Sequence, residues 1–69
     1  MDEFRLKVFV TAAKALSFSK CAAALNITQP AVSRHIGELE ARFGVPLFSR
    51  GSSGVGLTKA GRLLLQHAE

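Results

Sequence analysis

The segment 26–44, NITQPAVSRHIGELEARFG, carries the signals that decide the fold. Thr28 is a residue type that commonly caps a helix at its N-terminus. Pro30 falls in the first turn, where its missing N–H breaks no helical hydrogen bond. Apolar residues follow at spacings of 4, 3 and 4, which places them on one face of a helix that ends at Gly44. These apolar residues are Val32, Ile36, Leu39 and Phe43.

A shorter, alanine-rich helix precedes this one and extends to Leu25. Ser17 and Ser19 are both candidate N-caps for it, and Asn26 suits the turn that follows. Two short helices joined by a tight turn indicate a helix-turn-helix unit, which we place at residues 18–37. In this register Ala22 lies where the helices cross, and four apolar residues fill the shared core. They are Cys21, Leu25, Ile27 and Val32.

The flanking segments complete a mainly α fold, a winged helix-turn-helix. An amphipathic first helix of about 15 residues is predicted from Leu6, Phe9, Val10 and Ala13. Residues 46–58 read as a β-hairpin with a flexible tip, the wing, and Thr58 caps a last helix rich in leucine. The expected architecture is therefore a three-helix core, a two-stranded β wing and the start of a further helix.

Composition bounds the class of protein. The 69 residues suffice for one small domain, and the formal net charge of +4 favours a polyanionic partner. No carboxylate occurs in residues 4–37 or 41–68, so positive surface should dominate. One cysteine allows no internal disulfide, and no signal peptide or membrane-spanning run is present, which together predict a cytoplasmic protein.

The polar N-terminal end of the 28–43 helix is predicted to face base edges in the major groove of DNA. Gln29 is able to make a bidentate contact to adenine, Arg34 to reach guanine or phosphate, and Ser33 to contact either. The helix dipole and free N–H groups also favour a phosphate there. For each of these residues alone, a solvated helix face would be the simpler interpretation.

The run SFSKCAAALNITQPAVSRHIGELEARFGVPLFSR, followed by LTKAG, resembles the N-terminal domain of LysR-type bacterial transcriptional regulators. The resemblance covers essentially the whole chain. It implies a winged helix-turn-helix at residues 1–57 with its wing at 46–57, and at 58–69 the start of a dimerising linker helix expected to continue past Glu69. It also implies a homodimer or tetramer on a pseudo-palindromic operator in double-stranded DNA, and a small-molecule effector on a separate C-terminal domain.

The resemblance also assigns contacts. Gln29, Pro30, Ser33 and Arg34 match the recognition-helix residues, and Arg50 matches the wing arginine near the minor groove. The predicted DNA-contacting set further includes Ser19, Lys20, Thr28, Ser52 and Ser53. Two departures stand out: the wing tip, residues 51–54, lacks the usual arginines, and Gly37 replaces a basic or long polar residue. The first departure predicts a weaker grip of the wing on phosphate, and the second predicts a groove face that is less charged than usual.

Other classes of function are less consistent with the sequence. Residues 51–58 approach a phosphate-binding loop, but Leu57 replaces the required lysine, so an NTPase is rejected and no enzyme is expected. No metal or other cofactor is expected, because His35 and His67 lack ligand spacing and Cys21 should be core packing. A protein-interaction module would require an apolar outer face on the third helix. RNA binding would require exposed aromatic residues, whereas all five phenylalanines are expected at or near the core.

Overall fold

Polar caps set the helix boundaries in the computed structural model, which describes residues 2–69. The side chains of Asp2, Ser17, Thr28 and Thr58 each accept a hydrogen bond from a backbone N–H in the first turn that follows. Ser17 rather than Ser19 caps the second helix. The elements in chain order are α1 (Glu3–Ala15), α2 (Phe18–Leu25), α3 (Gln29–Phe43), β1 (Phe48–Gly51), β2 (Gly54–Leu57) and α4 (Lys59–Ala68).

Three helices end at residues in the left-handed backbone conformation. Asn26 (φ 57°) and Gly44 (φ 74°) do so as the sequence predicts, since both residue types adopt this conformation readily. The third is Leu16, with φ 49°, after α1. Leucine rarely adopts this conformation, so nothing in the sequence indicated that the α1–α2 turn would be made this way.

The first three helices pack into one core, and the residues predicted to fill it are buried or half-buried. Cys21, Val32, Ile36 and Leu39 are fully buried, and Ala22 is 7% exposed. Leu25 and Ile27 are half-buried and pack against this core. The other buried residues are Val8, Phe9, Ala12, Ala13, Phe18, Leu47 and Phe48.

The expectation that every phenylalanine lies at or near the core is wrong for two of them. Phe43 is 45% exposed although it shares the apolar arc of α3, and Phe4 is 39% exposed. Helical periodicity specifies which face a residue occupies but not whether a neighbour covers that face along its whole length. Phe43 is the last residue of α3 and Phe4 lies in the first turn of α1, so each is at an end where packing stops.

The wing is an antiparallel hairpin whose register pairs Phe48 with Leu57 and Gly51 with Gly54. Ser52 and Ser53 form the two-residue turn, and Gly54 has φ 112°, a conformation that favours glycine. Phe48 anchors the base of the hairpin, with its ring edge-to-face against those of Phe9 and Phe18. The predicted two-stranded wing is therefore confirmed.

Two contacts that the sequence did not reveal fix the base of the wing. A carboxylate oxygen of Glu40, on α3, accepts hydrogen bonds from the backbone N–H groups of Leu47 (2.8 Å) and Phe48 (3.2 Å). Gly61, in α4, lies so close that a Cβ added there would sit 2.1 Å from the Leu47 carbonyl oxygen. The wing base is thus held between α3 and α4.

Within residues 2–69, no helix combines the length and apolar character needed to cross a membrane.

Candidate nucleic-acid interface

The beginnings of α2 and α3 meet at one hydrogen bond between side chains. The Ser19 hydroxyl donates to Oε1 of Gln29 across 3.1 Å, and both residues are exposed. Ser19 is the second residue of α2 and Gln29 is the first of α3. The bond therefore joins the two helix ends that the helix-turn-helix arrangement brings to the same surface.

The first turns of α3 present the remaining predicted contacts in different ways. Pro30 and Arg34 are exposed, whereas Ser33 is only half-exposed. The hydroxyl of Thr28 is occupied, because it accepts the N–H of Ala31 at 3.2 Å. Thr28 therefore shapes the helix end as its cap and offers less to a ligand than the sequence alone suggested.

Backbone donors at this end are fewer than a helix start usually provides. Pro30 has no N–H, and the N–H groups of Ala31 and Val32 are bound to the side chain and carbonyl of Thr28. In the described chain, the first turn of α3 thus leaves the N–H of Gln29 as its free backbone donor. Side chains rather than backbone must supply most of the contacts that α3 makes.

The wing reaches the same surface through Arg50. Its guanidinium carbon lies 4.7 Å from the centre of the Phe18 ring, within the range of a cation–π contact. Phe18 is adjacent to Ser19, so the start of α2 contacts α3 on one side and the wing on the other. We call the exposed residues joined in this way the polar surface: Ser19, Lys20, Gln29, Pro30, Arg34 and Arg50.

Charge on the polar surface is positive and is not neutralised. It carries Lys20, Arg34 and Arg50, and no ion pair involves them within residues 2–69. Glu38 follows Arg34 by one helical turn, but its carboxylate pairs with Arg5 at 2.7 Å. A second ion pair in the described chain joins Lys14 to Glu69, so both acids that form ion pairs neutralise basic residues outside the polar surface.

Ser52 and Ser53 are not brought onto the helices. They lie at the exposed tip of the wing, beyond Arg50 along β1. Within the described chain, no side-chain hydrogen bond ties either hydroxyl to α2 or α3. Of the ten residues predicted to contact DNA, these two are able to do so only if the wing tip is directed towards the DNA.

Sequence reasoning missed three residues on which the interface depends. Phe18 supports Arg50, Glu40 holds the wing base, and Gly61 allows α4 to approach it. Glu40 lies in the stretch LE at 39–40, and Gly61 lies in the stretch LTKAG at 57–61. Both stretches carry the family resemblance, and this was the signal by which the sequence could have pointed to these residues. Their roles depend on contacts between distant parts of the chain, which spacing along one helix does not show.

Reactive side chains are not part of this surface. Cys21 is fully buried, its thiol donates to the Val8 carbonyl oxygen at 3.5 Å, and burial raises the pKa of that thiol. A protonated, buried thiol is a poor nucleophile and metal ligand. In the part of the chain that the structure describes, His, Cys, Asp and Glu side chains form no group of three or more that could hold a metal ion.

Comparison with known proteins decides the family. The sequence profile of the bacterial regulatory helix-turn-helix proteins of the lysR family matches residues 4–62, which include the whole polar surface. The chain belongs to the LysR family. The resemblance noted in the sequence is thereby confirmed.

Relatives and solved structures of the LysR family agree in sequence and in fold. The HTH-type transcriptional regulator BbuR of Bordetella bronchiseptica is 46% identical over 68 residues, or 99% of this chain and 21% of BbuR. A crystal structure of a LysR-family transcriptional regulator from Eggerthella lenta superposes with a TM-score of 0.92 at 45% identity, covering 97% of this chain and 96% of that one. The winged helix-turn-helix fold is confirmed.

Several of the similar solved structures contain DNA. The crystal structure of the BenM_DBD complex with catB site 1 DNA has a TM-score of 0.93 and 40% identity, and the match covers 99% of this chain and 76% of that one. This LysR-family chain spans about a fifth of the length of BbuR.

Proposed function

We propose that this LysR-family chain is the DNA-binding unit of a transcription regulator, and that it binds double-stranded DNA with the N-terminal end of α3 in the major groove. The observation that carries the proposal is the polar surface itself. The Ser19–Gln29 and Arg50–Phe18 contacts join two helix ends and the wing into one surface, which carries three cations that form no ion pair with residues 2–69. The similar BenM_DBD structure with DNA supports the same function.

The residues of this surface divide between base and backbone contacts. Gln29 and Arg34 project from exposed positions in the first turns of α3 and suit base edges, while Ser33 is half-exposed beside them. Lys20, at the start of α2, suits a phosphate, because lysine is a compact charge without a planar donor pattern. Ser19, Thr28 and Pro30 complete the helix ends that approach the groove.

Arg50, Ser52 and Ser53 form the wing's part of the interface, against the backbone near the minor groove. The Arg50 guanidinium lies over Phe18, which leaves its N–H edge available to an acceptor. The tip carries no other cation, so the wing contributes one charge.

Assembly on DNA is proposed to involve a second copy. We assign residues 1–57 to the DNA-binding domain and 58–69 to the start of a linker helix. α4 half-buries Leu64 and Leu65 against the core but exposes 51% of Leu63, which gives it an apolar outer position that a partner helix could cover. A homodimer or tetramer on a pseudo-palindromic operator, with a small-molecule effector bound by a further domain, completes a cytoplasmic regulator.

Two other binding classes are less favoured. The outer face of α3 is polar at its start, which argues against a protein-interaction surface there. Phe43 is exposed, as RNA stacking would require, but it lies 14 residues from Gln29, about 21 Å along the helix axis. Phe4, the other exposed phenylalanine, packs its ring edge-to-face against His35, and neither phenylalanine belongs to the polar surface.

The test is selection of duplexes from a random-sequence pool, followed by titration of the selected duplex. Competition with scrambled duplex and with single-stranded RNA of equal length distinguishes the classes. We expect the selected duplex to win over the scrambled one by at least about a thousandfold under moderate salt. Equal competition by single-stranded RNA would favour RNA binding, and failure to bind any nucleic acid would contradict the proposal.

A further inference from the structure

We infer that Ser19 is a specificity-determining residue that acts by positioning the Gln29 amide. The inference rests on the proposed DNA-binding function and adds the base chemistry that Gln29 recognises. The Ser19 hydroxyl donates to Oε1 of Gln29, which turns the amide so that its NH₂ group is left free to donate. Gln29 therefore recognises a base edge that presents acceptors.

Both ends of this hydrogen bond are held by buried structure. Ser19 lies between Ser17, whose hydroxyl caps α2, and the fully buried Cys21. Gln29 follows the cap Thr28 and precedes the fully buried Val32 by less than one turn. The backbone at Ser19 and at Gln29 is already held in place by these neighbours. Forming the bond therefore costs little conformational entropy beyond that of the two side chains.

The orientation of the amide decides which base it suits. A glutamine free to rotate about its last bond is able to pair with adenine by accepting from N6 and donating to N7. With Oε1 held towards Ser19, the group on the other side of the amide is NH₂, a pair of donors. Guanine offers two acceptors, N7 and O6, in the major groove. Ser19 thus biases Gln29 away from adenine and towards guanine.

A contact between Ser19 and phosphate is the competing explanation, and it predicts a different pattern. Loss of a phosphate contact weakens binding to all sequences alike, because backbone contacts carry no base information. Loss of a positioning contact changes preference at one base pair only. It also has no further effect once the residue it positions has been removed, so a double-mutant cycle separates the two explanations.

The experiment uses a duplex selected from a random pool with this chain, and four versions of it that vary the base pair at which Gln29→Ala relaxes preference. Affinities are measured for wild type, Ser19→Ala, Gln29→Ala and the double variant. Ser19→Thr keeps the hydroxyl, and Ser49→Ala is a matched control, because it removes an exposed hydroxyl on the opposite face of β1 from Arg50. Thermal melts confirm that each variant is folded.

We expect wild type to prefer a G·C pair over an A·T pair at this position, in whichever strand orientation, and Ser19→Ala to lower that preference about twofold to tenfold. Ser19→Thr and Ser49→Ala should retain it, and Ser19→Ala should add nothing in the Gln29→Ala background. Equal loss at all four base pairs, additive effects, or a wild-type preference for an A·T pair would overturn the inference. Failure of the wild type to select any duplex would instead refute the proposed function.

Discussion

The start of α3 and the wing contribute to one polar surface but are supported very differently. The first turns of α3 are backed by Val32 and Ile36, which are fully buried. The wing has a buried residue at its base, Phe48, and the next three residues of β1 are exposed. One part of the surface is therefore fixed before DNA arrives, whereas the other is fixed at one end only.

This difference matches the two tasks of a DNA-binding surface. Base readout needs donors and acceptors placed before binding, because misplacement loses discrimination. Contacts to the DNA backbone tolerate more movement of the protein side chain than base contacts do. Ordering the wing tip on DNA nevertheless costs conformational entropy. The Arg50–Phe18 contact, of a kind that stabilises by about 0.5–1 kcal/mol at an exposed site, favours one position of Arg50 before DNA binds.

The two regions are nevertheless linked through α3. Its first residue, Gln29, lies in the polar surface, and Glu40 near its other end accepts two backbone N–H groups at the wing base. Damage to the wing base should therefore disturb the position of the wing relative to α3. Damage to the polar surface should leave the fold intact. The following predictions test that separation.

The largest effect is expected for Gly61→Ala. A Cβ here would lie 2.1 Å from the Leu47 carbonyl oxygen, so α4 must move away from the wing base. We expect a loss of about 3 kcal/mol in the free energy of unfolding, measured by urea denaturation. Gly37→Ala is the matched control, because a Cβ there meets nothing within 4 Å in an exposed part of α3, and it should stabilise by about 0.5–1 kcal/mol. Similar destabilisation by both changes would contradict the role of Gly61.

Glu40→Ala should have the next largest effect. It leaves the N–H groups of Leu47 and Phe48 without their acceptor, which should cost about 2 kcal/mol in unfolding free energy. Glu40→Gln keeps an acceptor oxygen at the same length and should lose less. Hydrogen exchange at these two amides measures the local effect directly. Unchanged protection in Glu40→Ala would show that the carboxylate does not hold the wing.

Gln29→Ala should leave stability unchanged and act on base preference. We expect a loss of about 1–2 kcal/mol in binding the selected duplex, confined to one base pair. Titration of duplexes that vary at each position in turn makes the measurement. Loss spread evenly over all sequences would mean that Gln29 contacts only the DNA backbone. The N-terminal end of α3 would then not determine base preference through Gln29.

Arg50→Ala should have the smallest effect and the least sequence dependence. Removing one phosphate contact should flatten the dependence of log affinity on log salt by about 0.9. Titrations at several salt concentrations on selected and scrambled duplexes give both slopes. Arg50→Lys keeps the charge and should restore the slope, although it loses the stacking of the planar group on Phe18. A slope unaltered by Arg50→Ala would remove the wing from the interface.

Much of this fold follows from local signals along the chain. Helix caps, turn residues and apolar spacing predicted α2, α3 and the hairpin, because each depends on residues within one or two turns of each other. The same locality explains the candidate site. Gln29, Ser33 and Arg34 are marked by their place in the first turns of a capped helix.

Tertiary structure alone decided which of these residues meet. Leu16 turns the chain in a left-handed conformation, and Phe43 stays exposed because nothing covers the end of its face. The Ser19–Gln29 bond spans 10 residues, and the Glu40 and Gly61 contacts join α3 and α4 to the wing base. Spacing along a helix specifies the direction in which a side chain points, whereas its partner depends on how the helices pack.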